Sequence, residues 1–202
     1  MVAVAALGLG VTKLGLLSDF DRSLSSGLNE LHTGVLGSLA NGIYSALSPI
    51  PAVVITAVIA VIILAATRRL SVAITFASVV AATWLPSAGM KFLIDRSRPD
   101  VTTLAHPFAR QPIDASFPSG HMVFTVAVVV AFVLLARPGV ARALTLVAGT
   151  IVAIVVGLAL TVTGVHYPTD VIGSVLWSVT VGPLVFALCA QFILHRGSPR
   201  TP

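Results

Sequence analysis

The sequence predicts an all-α membrane bundle of about six spanning helices with one amphipathic helix along the interface. Composition, the spacing of the apolar stretches and the placement of charge all lead there. Of 202 residues, 56% are hydrophobic and only 9% charged, with a mean hydropathy of +1.02, whereas about a quarter of the residues in a soluble chain are charged. Apolar stretches fall at residues 2–17, 50–66, 72–94, 122–136, 141–162 and 171–194, each near the ~20 residues that cross a hydrocarbon layer. Six spans make one bundle over residues 1–202 and leave no room for a second domain.

The formal charge of +5 comes with no basic run interleaved with aromatics, which excludes nucleic acid as the partner. In a six-span layout, Arg68, Arg69, Arg137, Arg142, Arg196 and Arg200 share one side. Asp19, Asp21, Glu30, Asp95, Asp100, Asp114 and Asp170 share the other. By the positive-inside rule the arginine side and both termini are cytoplasmic, and the acidic side faces outside or the periplasm.

In chain order, residues 2–17 form one of the short spans. With no basic start and no small-x-small site before Asp19, they read as a true helix rather than a cleaved leader. From Phe20 through Leu24, Leu28, Leu31, Val35, Leu39 and Ile43, apolar residues recur every three or four positions. That spacing predicts one amphipathic helix, capped by Ser18 or Asp19 and ended by Ser48-Pro49, either lying over the outer mouth of the bundle or serving as a plain connector. Residues 100–117 show no sustained periodicity and read as an ordered loop over the site. The single cysteine, Cys189, excludes an intrachain disulfide. Nothing in the sequence fixes an oligomeric state.

A charged side chain inside such a chain costs roughly 2.5–3.5 kcal/mol at mid-bilayer, and the polar groups that persist gather in three clusters. Lys91 and Arg98 are seven residues apart, close to two helical turns, so both are expected on one face. Pro99 biases Arg98 out of helical geometry at the membrane edge. Two long cations there can converge on an anion, although a pair of snorkelling interface residues explains them equally well. Pro118-Ser119-Gly120-His121 precedes an apolar run and reads as a helix start with Ser119 near the N-cap. Its free N–H groups and helix dipole suit a phosphate, and Gly120 admits close approach. His166 and Asp170 flank Pro168, an early helical residue of the last span. The carboxylate can reach back to the imidazole and leave its other nitrogen free as nucleophile or base.

Lys91-x6-Arg98-Pro99, Pro118-Ser119-Gly120-His121 and His166-x3-Asp170 together resemble the three ordered motifs of the phosphatidic acid phosphatase type 2 superfamily, membrane lipid phosphatases related to vanadium haloperoxidases. The resemblance implies a cofactor-free, metal-independent hydrolase of lipid phosphates or pyrophosphates in a bacterial inner membrane, its site facing outward. His166 is then the nucleophile that forms a phosphohistidine, Asp170 its orienting partner, and His121 the proton donor. Lys91, Arg98, Ser119 and the Gly120 N–H would hold the phosphate oxygens. The family's third motif normally starts with Ser-Arg, where this chain has Ala159-Leu160. Arg96 and Arg110 are the candidate auxiliaries for the missing arginine, and Thr161 or Thr163 offer a neutral contact. The departure keeps a second reading open, a noncatalytic lipid-phosphate-binding protein. A third takes His121, His166 and Asp170 as metal ligands.

Overall fold

The computed structural model describes residues 2–194; His195, Arg196 and Arg200 lie outside them. The described residues are helical apart from turns and loops. In order they form α1 (Val2–Lys13), α2 (Ser18–Asn29), α3 (Gly34–Ala46), α4 (Pro49–Thr67), α5 (Leu70–Trp84), α6 (Ser87–Ile94), a 3-10 turn (Val101–Thr103), α7 (Gly120–Leu135), α8 (Val140–Val162) and α9 (Pro168–Cys189), whose end widens into a π-turn (Ala190–Leu194).

Among the described residues, length and apolarity qualify four segments to cross a bilayer, Pro49–Thr67, Leu70–Ile94 (α5 and α6 together), Val140–Val162 and Pro168–Leu194, or five if the bent α1–α2 pair counts as one. The first apolar stretch is not the straight span expected. α1 has 12 residues, about 18 Å, and meets α2 at an 83° bend. The turn between them holds Gly15 and Leu17 at positive φ. α7 has 16 residues, about 24 Å, and runs through the centre of the bundle between α5, α8 and α9. α4 is the peripheral element, with only Ala52 buried.

The single amphipathic helix predicted between the first two spans is two helices. They break at residues 30–33, and Gly34 takes φ +50, a conformation that suits glycine. Neither Ser18 nor Asp19 caps α2, because Leu17 occupies the N-cap without a side-chain bond. The polar face of α2 turns inward: Asp21, Ser25 and Asn29 are buried, while Phe20, Leu24 and Leu31 are exposed. This inverts the soluble pattern, as expected where lipid meets the outer surface and a polar site sits within.

One apolar cluster (Val4, Met90, Ile94, Phe117, Val123, Trp177) joins α1, α6, α7 and α9. A second (Ala52, Phe76, Val79, Val80, Phe124, Ala131) joins α4, α5 and α7. Trp177 is buried in the first cluster, its indole donating to the Thr83 carbonyl at 2.8 Å. Trp84 stacks near Phe124, their rings 5.4 Å apart. Phe117, at the end of the 100–117 loop, is fully buried between two glycines. A Cβ on Gly8 would come within 2.7 Å of its ring, and one on Gly173 would overlap it. The two helices thereby hold the chain immediately before Pro118-Ser119.

Gly173→Ala drives a methyl group into the Phe117 ring, and overpacking of this kind costs roughly 1–3 kcal/mol. We expect a lower thermal midpoint in detergent for Gly173→Ala, and an unchanged or slightly raised midpoint for Gly27→Ala, which lies inside α2 and where a Cβ meets nothing within 4 Å.

Candidate active site

Lys91 lies in the last turn of α6, which stops at Ile94. Asp95 then takes φ +48, so Arg98 stands on a non-helical segment and not on the helical face that the seven-residue spacing predicts. The two cations converge nonetheless, on Asp114 of the loop. Lys91 Nζ donates to Asp114 Oδ2 at 2.6 Å and to the Ala115 carbonyl at 2.6 Å. Arg98 donates to Asp114 Oδ1 at 2.7 Å and, through Nε, to the Asp114 carbonyl at 2.9 Å. Burial alone would raise the Asp114 pKa, but hydrogen bonds and charge from Lys91 and Arg98 outweigh it and bring it to about 2. Sequence reasoning placed Asp114 in the covering loop without assigning it to either cation.

The remaining face of Arg98 reaches the third motif. Its guanidinium donates to the Val165 carbonyl at 2.7 Å and lies 3.3 Å from His166 Nε2. The other ring nitrogen, Nδ1, lies 3.5 Å from Asp170 Oδ2, long for a hydrogen bond. Oδ2 also accepts from the Tyr167 backbone N–H at 2.9 Å, closing the first turn of α9 with Pro168 at its start. Burial holds the His166 pKa down to about 4, and Arg98 acts in the same direction against the partial support of Asp170. The imidazole is therefore neutral at pH 7, and its Nε2 faces the cation.

Ser119 is the N-cap of α7 as expected, its Oγ accepting from the Met122 N–H at 3.4 Å. Beside Gly120 a Cβ would make only an ordinary 3.7 Å contact with the Trp84 indole, so side-chain crowding is not what calls for glycine there. His121 occupies the first turn of α7. Its ring stands 4.3 Å from that of Tyr44 in α3 and 6.4 Å from that of His166. Its Nε2 is buried with no protein partner. Two anion-seeking helix starts and both histidines thus meet at one end of the bundle. Ser174, unnoticed in the sequence, ties those starts together, its Oγ lying 2.6 Å from the Asp170 carbonyl and 3.2 Å from that of Ser119.

Arg96 is buried and does not join Lys91 and Arg98. It bridges Asp170 Oδ1 and Asp21 Oδ2, each at 2.6 Å, and donates to Thr169 Oγ1 at 2.7 Å. Its guanidinium also lies over the Tyr167 ring at 4.3 Å. Asp21 further accepts from the Thr169 N–H and hydroxyl. Arg110 is exposed and forms no ion pair among the described residues. Neither arginine hydrogen-bonds to His121 or His166. Leu160 is fully buried with Met122, Val126, Val156 and Val165, and the Thr161 and Thr163 hydroxyls bond to carbonyls of their own helix end. Asn29, also missed in the sequence, fastens α2 to the loop and to α8 through the His106 backbone and the Val162 carbonyl. His32 reinforces that link, so His32 and the backbone of His106 serve the scaffold. Among the described residues no three His, Cys, Asp or Glu side chains are grouped to hold a metal ion.

The arrangement can seat a tetrahedral anion between two cations, with a neutral imidazole nitrogen on one side and a second imidazole free to exchange a proton. No curated protein matches the chain. Among solved structures, a crystal structure of a transmembrane PAP2 type phosphatidylglycerolphosphate phosphatase from Bacillus subtilis superposes with a TM-score of 0.76. It covers 99% of this chain and 96% of that one at 20% identity, a likeness of fold. The family model described as PAP2 superfamily matches residues 68–193, which takes in all three polar clusters and more than half of the sequence; the chain belongs to the PAP2 superfamily, the family of membrane phosphatases.

Proposed function

We propose that this protein hydrolyses lipid phosphates or pyrophosphates through a phosphohistidine at the extracytoplasmic face of a bacterial inner membrane. The observation that carries the reading is the contact of Arg98 with His166 Nε2 at 3.3 Å, beside the Lys91 site. Nε2 attacks phosphorus in line and forms the N–P bond while the ester P–O bond breaks. His121 supplies the proton to the departing oxygen. A water, deprotonated by His121, then cleaves the N–P bond and releases phosphate. Lys91, Arg98 and the N–H groups at Ser119 and Gly120 stabilise the oxygens of the transferring group, and Asp170 orients the nucleophile. No step in this scheme calls for a metal or cofactor.

Arg96 is a positioning residue in this reading, acting through the Asp170 carboxylate. The acidic mouth of the bundle faces outward and the termini are cytoplasmic, by the arginine asymmetry already described. The six-crossing layout counts α7 and the bent α1–α2 pair as spans, within a single domain over residues 1–202. Substrate reaches the site from the surrounding bilayer. An apolar groove of about 690 Å³ between α2, α7, α8 and α9, lined by Phe20, Met122, Val126, Leu158 and Pro168, adjoins the site end.

Leu160 favours a second reading, a lipid-phosphate binder without turnover. Loss of one donor that acts in the transition state lowers rate about 10²–10³-fold. The apolar cluster around Leu160 and the separate engagement of both cations favour an active site that dispenses with that arginine.

Purified protein in EDTA is expected to release phosphate from lipid phosphates, vanadate to inhibit it, and His166→Ala to abolish it; activity retained in His166→Ala rules out the mechanism. Leu160→Arg is expected to change kcat less than about tenfold and to lower the thermal midpoint, since a guanidinium replaces a leucine in an apolar cluster. A gain of about 10²-fold or more instead favours the binding reading. Because His166 takes up its proton only near pH 4, the acid limb of kcat/KM, corrected for substrate ionisation, should lie near pH 4 rather than near 6.5. The same depressed value means that the stability contributed by neutral His166 is complete above about pH 6.5. It is lost as pH falls from there toward 4.

A further inference from the structure

Lys91 and Arg98, read above as the phosphate-binding pair, already hold an anion. The Asp114 carboxylate bridges them through one oxygen each, at 2.6 and 2.7 Å. The contact is backed by the Ala115 and Asp114 carbonyls, which accept from the same two side chains. This is how two cations would share two oxygens of a phosphate. Asp114 is also placed to leave. It is half-exposed on a segment with no regular structure, next to a fully exposed Ile113, and a polar recess of about 240 Å³ lies beside it, lined by Ser97, Pro112 and Ala115.

We propose that Asp114 is an internal competitor for the phosphate site, a residue that sets how tightly any phosphate must bind before the site accepts it. The inference rests on the reading of Lys91 and Arg98 as phosphate ligands. A phosphate enters by displacing the carboxylate from both cations, and the carboxylate returns when the product leaves. The displacement weakens every phosphate by the same factor, because the bond broken is the same whichever anion enters. In a bilayer this matters. Phosphodiester headgroups, each with a single negative charge, surround the site at high concentration, and a common penalty holds them below occupancy. A terminal phosphate with two charges binds the cation pair more strongly and still enters. The competitor also spares the two cations from lying unpaired at the membrane edge when no substrate is bound.

The test measures binding of methyl phosphate, a dianion at pH 8, and of dimethyl phosphate, a monoanion, by calorimetry on the full chain in detergent. Binding as the readout keeps it independent of turnover. For Asp114→Asn we expect both anions to bind roughly tenfold more tightly, the scale of one charged hydrogen-bonded contact at a half-exposed site, with their affinity ratio unchanged. Weaker or unaltered binding overturns the proposal, since it would mean that Asp114 orders the cations and does not compete for them. A gain confined to the dianion also overturns it, because that marks simple repulsion from a carboxylate that never leaves. If neither protein binds methyl phosphate, the phosphate reading of Lys91 and Arg98 falls and the competitor with it. Should Asp114→Asn fail to fold, hydrogen exchange on the unaltered protein decides. Saturating methyl phosphate should raise exchange at the amides of residues 113–115, and unchanged or slower exchange there overturns the displacement.

Discussion

The structure turns on a single buried cation. Arg96 lies between Asp21 of α2 and Asp170 of α9, with Thr169 and the face of Tyr167 filling its remaining sides. Removing one partner from such a buried cluster costs about 3–5 kcal/mol, because an uncompensated charge is left in a medium of low dielectric. Satisfying it fixes three things together. α2 is drawn inward by its polar face, the carboxylate beside His166 is held by one oxygen, and the non-helical segment carrying Arg98 is anchored two residues before the cation that meets His166. The two carboxylates exceed the one guanidinium by a negative charge, which the backbone N–H groups of Tyr167 and Thr169 help to disperse.

The same economy of charge explains why the site sits at one end of the bundle. Helices of this composition gain nothing by hiding apolar faces from lipid, so close packing and polar contacts hold them together. Gly8 and Gly173 admit Phe117, Gly149 admits Val129 and Gly182 admits Val130, while Ser174 and Ser178 bond to carbonyls of their own and neighbouring helices. The small residues bring α7 and α9 near enough for their N-terminal ends to share one space. That shared space unites the second and third motifs, 45 residues apart in sequence between His121 and His166.

Asp114 and Arg96 show opposite uses of an ion pair. The Arg96 contacts are dry and multiply bonded, as a structural joint requires. The Asp114 contacts join two largely buried cations to a half-exposed carboxylate on a loop, which leaves the anion side of the pair open to solvent. Leu160 belongs to the first kind of surrounding, an apolar pocket closed by Met122 and Val165, the neighbours of the two histidines in the chain.

Much was legible in the sequence. Composition fixed an all-helical membrane protein, local signals fixed Ser119 as an N-cap and Pro168 as the opening of the last helix, and the order of three motifs identified the family. These are properties of single residues and short spacings, which a sequence displays directly. What tertiary structure alone decided depends on which distant groups meet. The inward turn of Asp21 and Asn29, the partners of Arg96 and the carboxylate between Lys91 and Arg98 all involve partners 16 to 148 residues away. A charged side chain's identity says that it needs a counter-ion. Only the fold says which one it finds, because the low dielectric around it rewards whichever partner packing brings within reach.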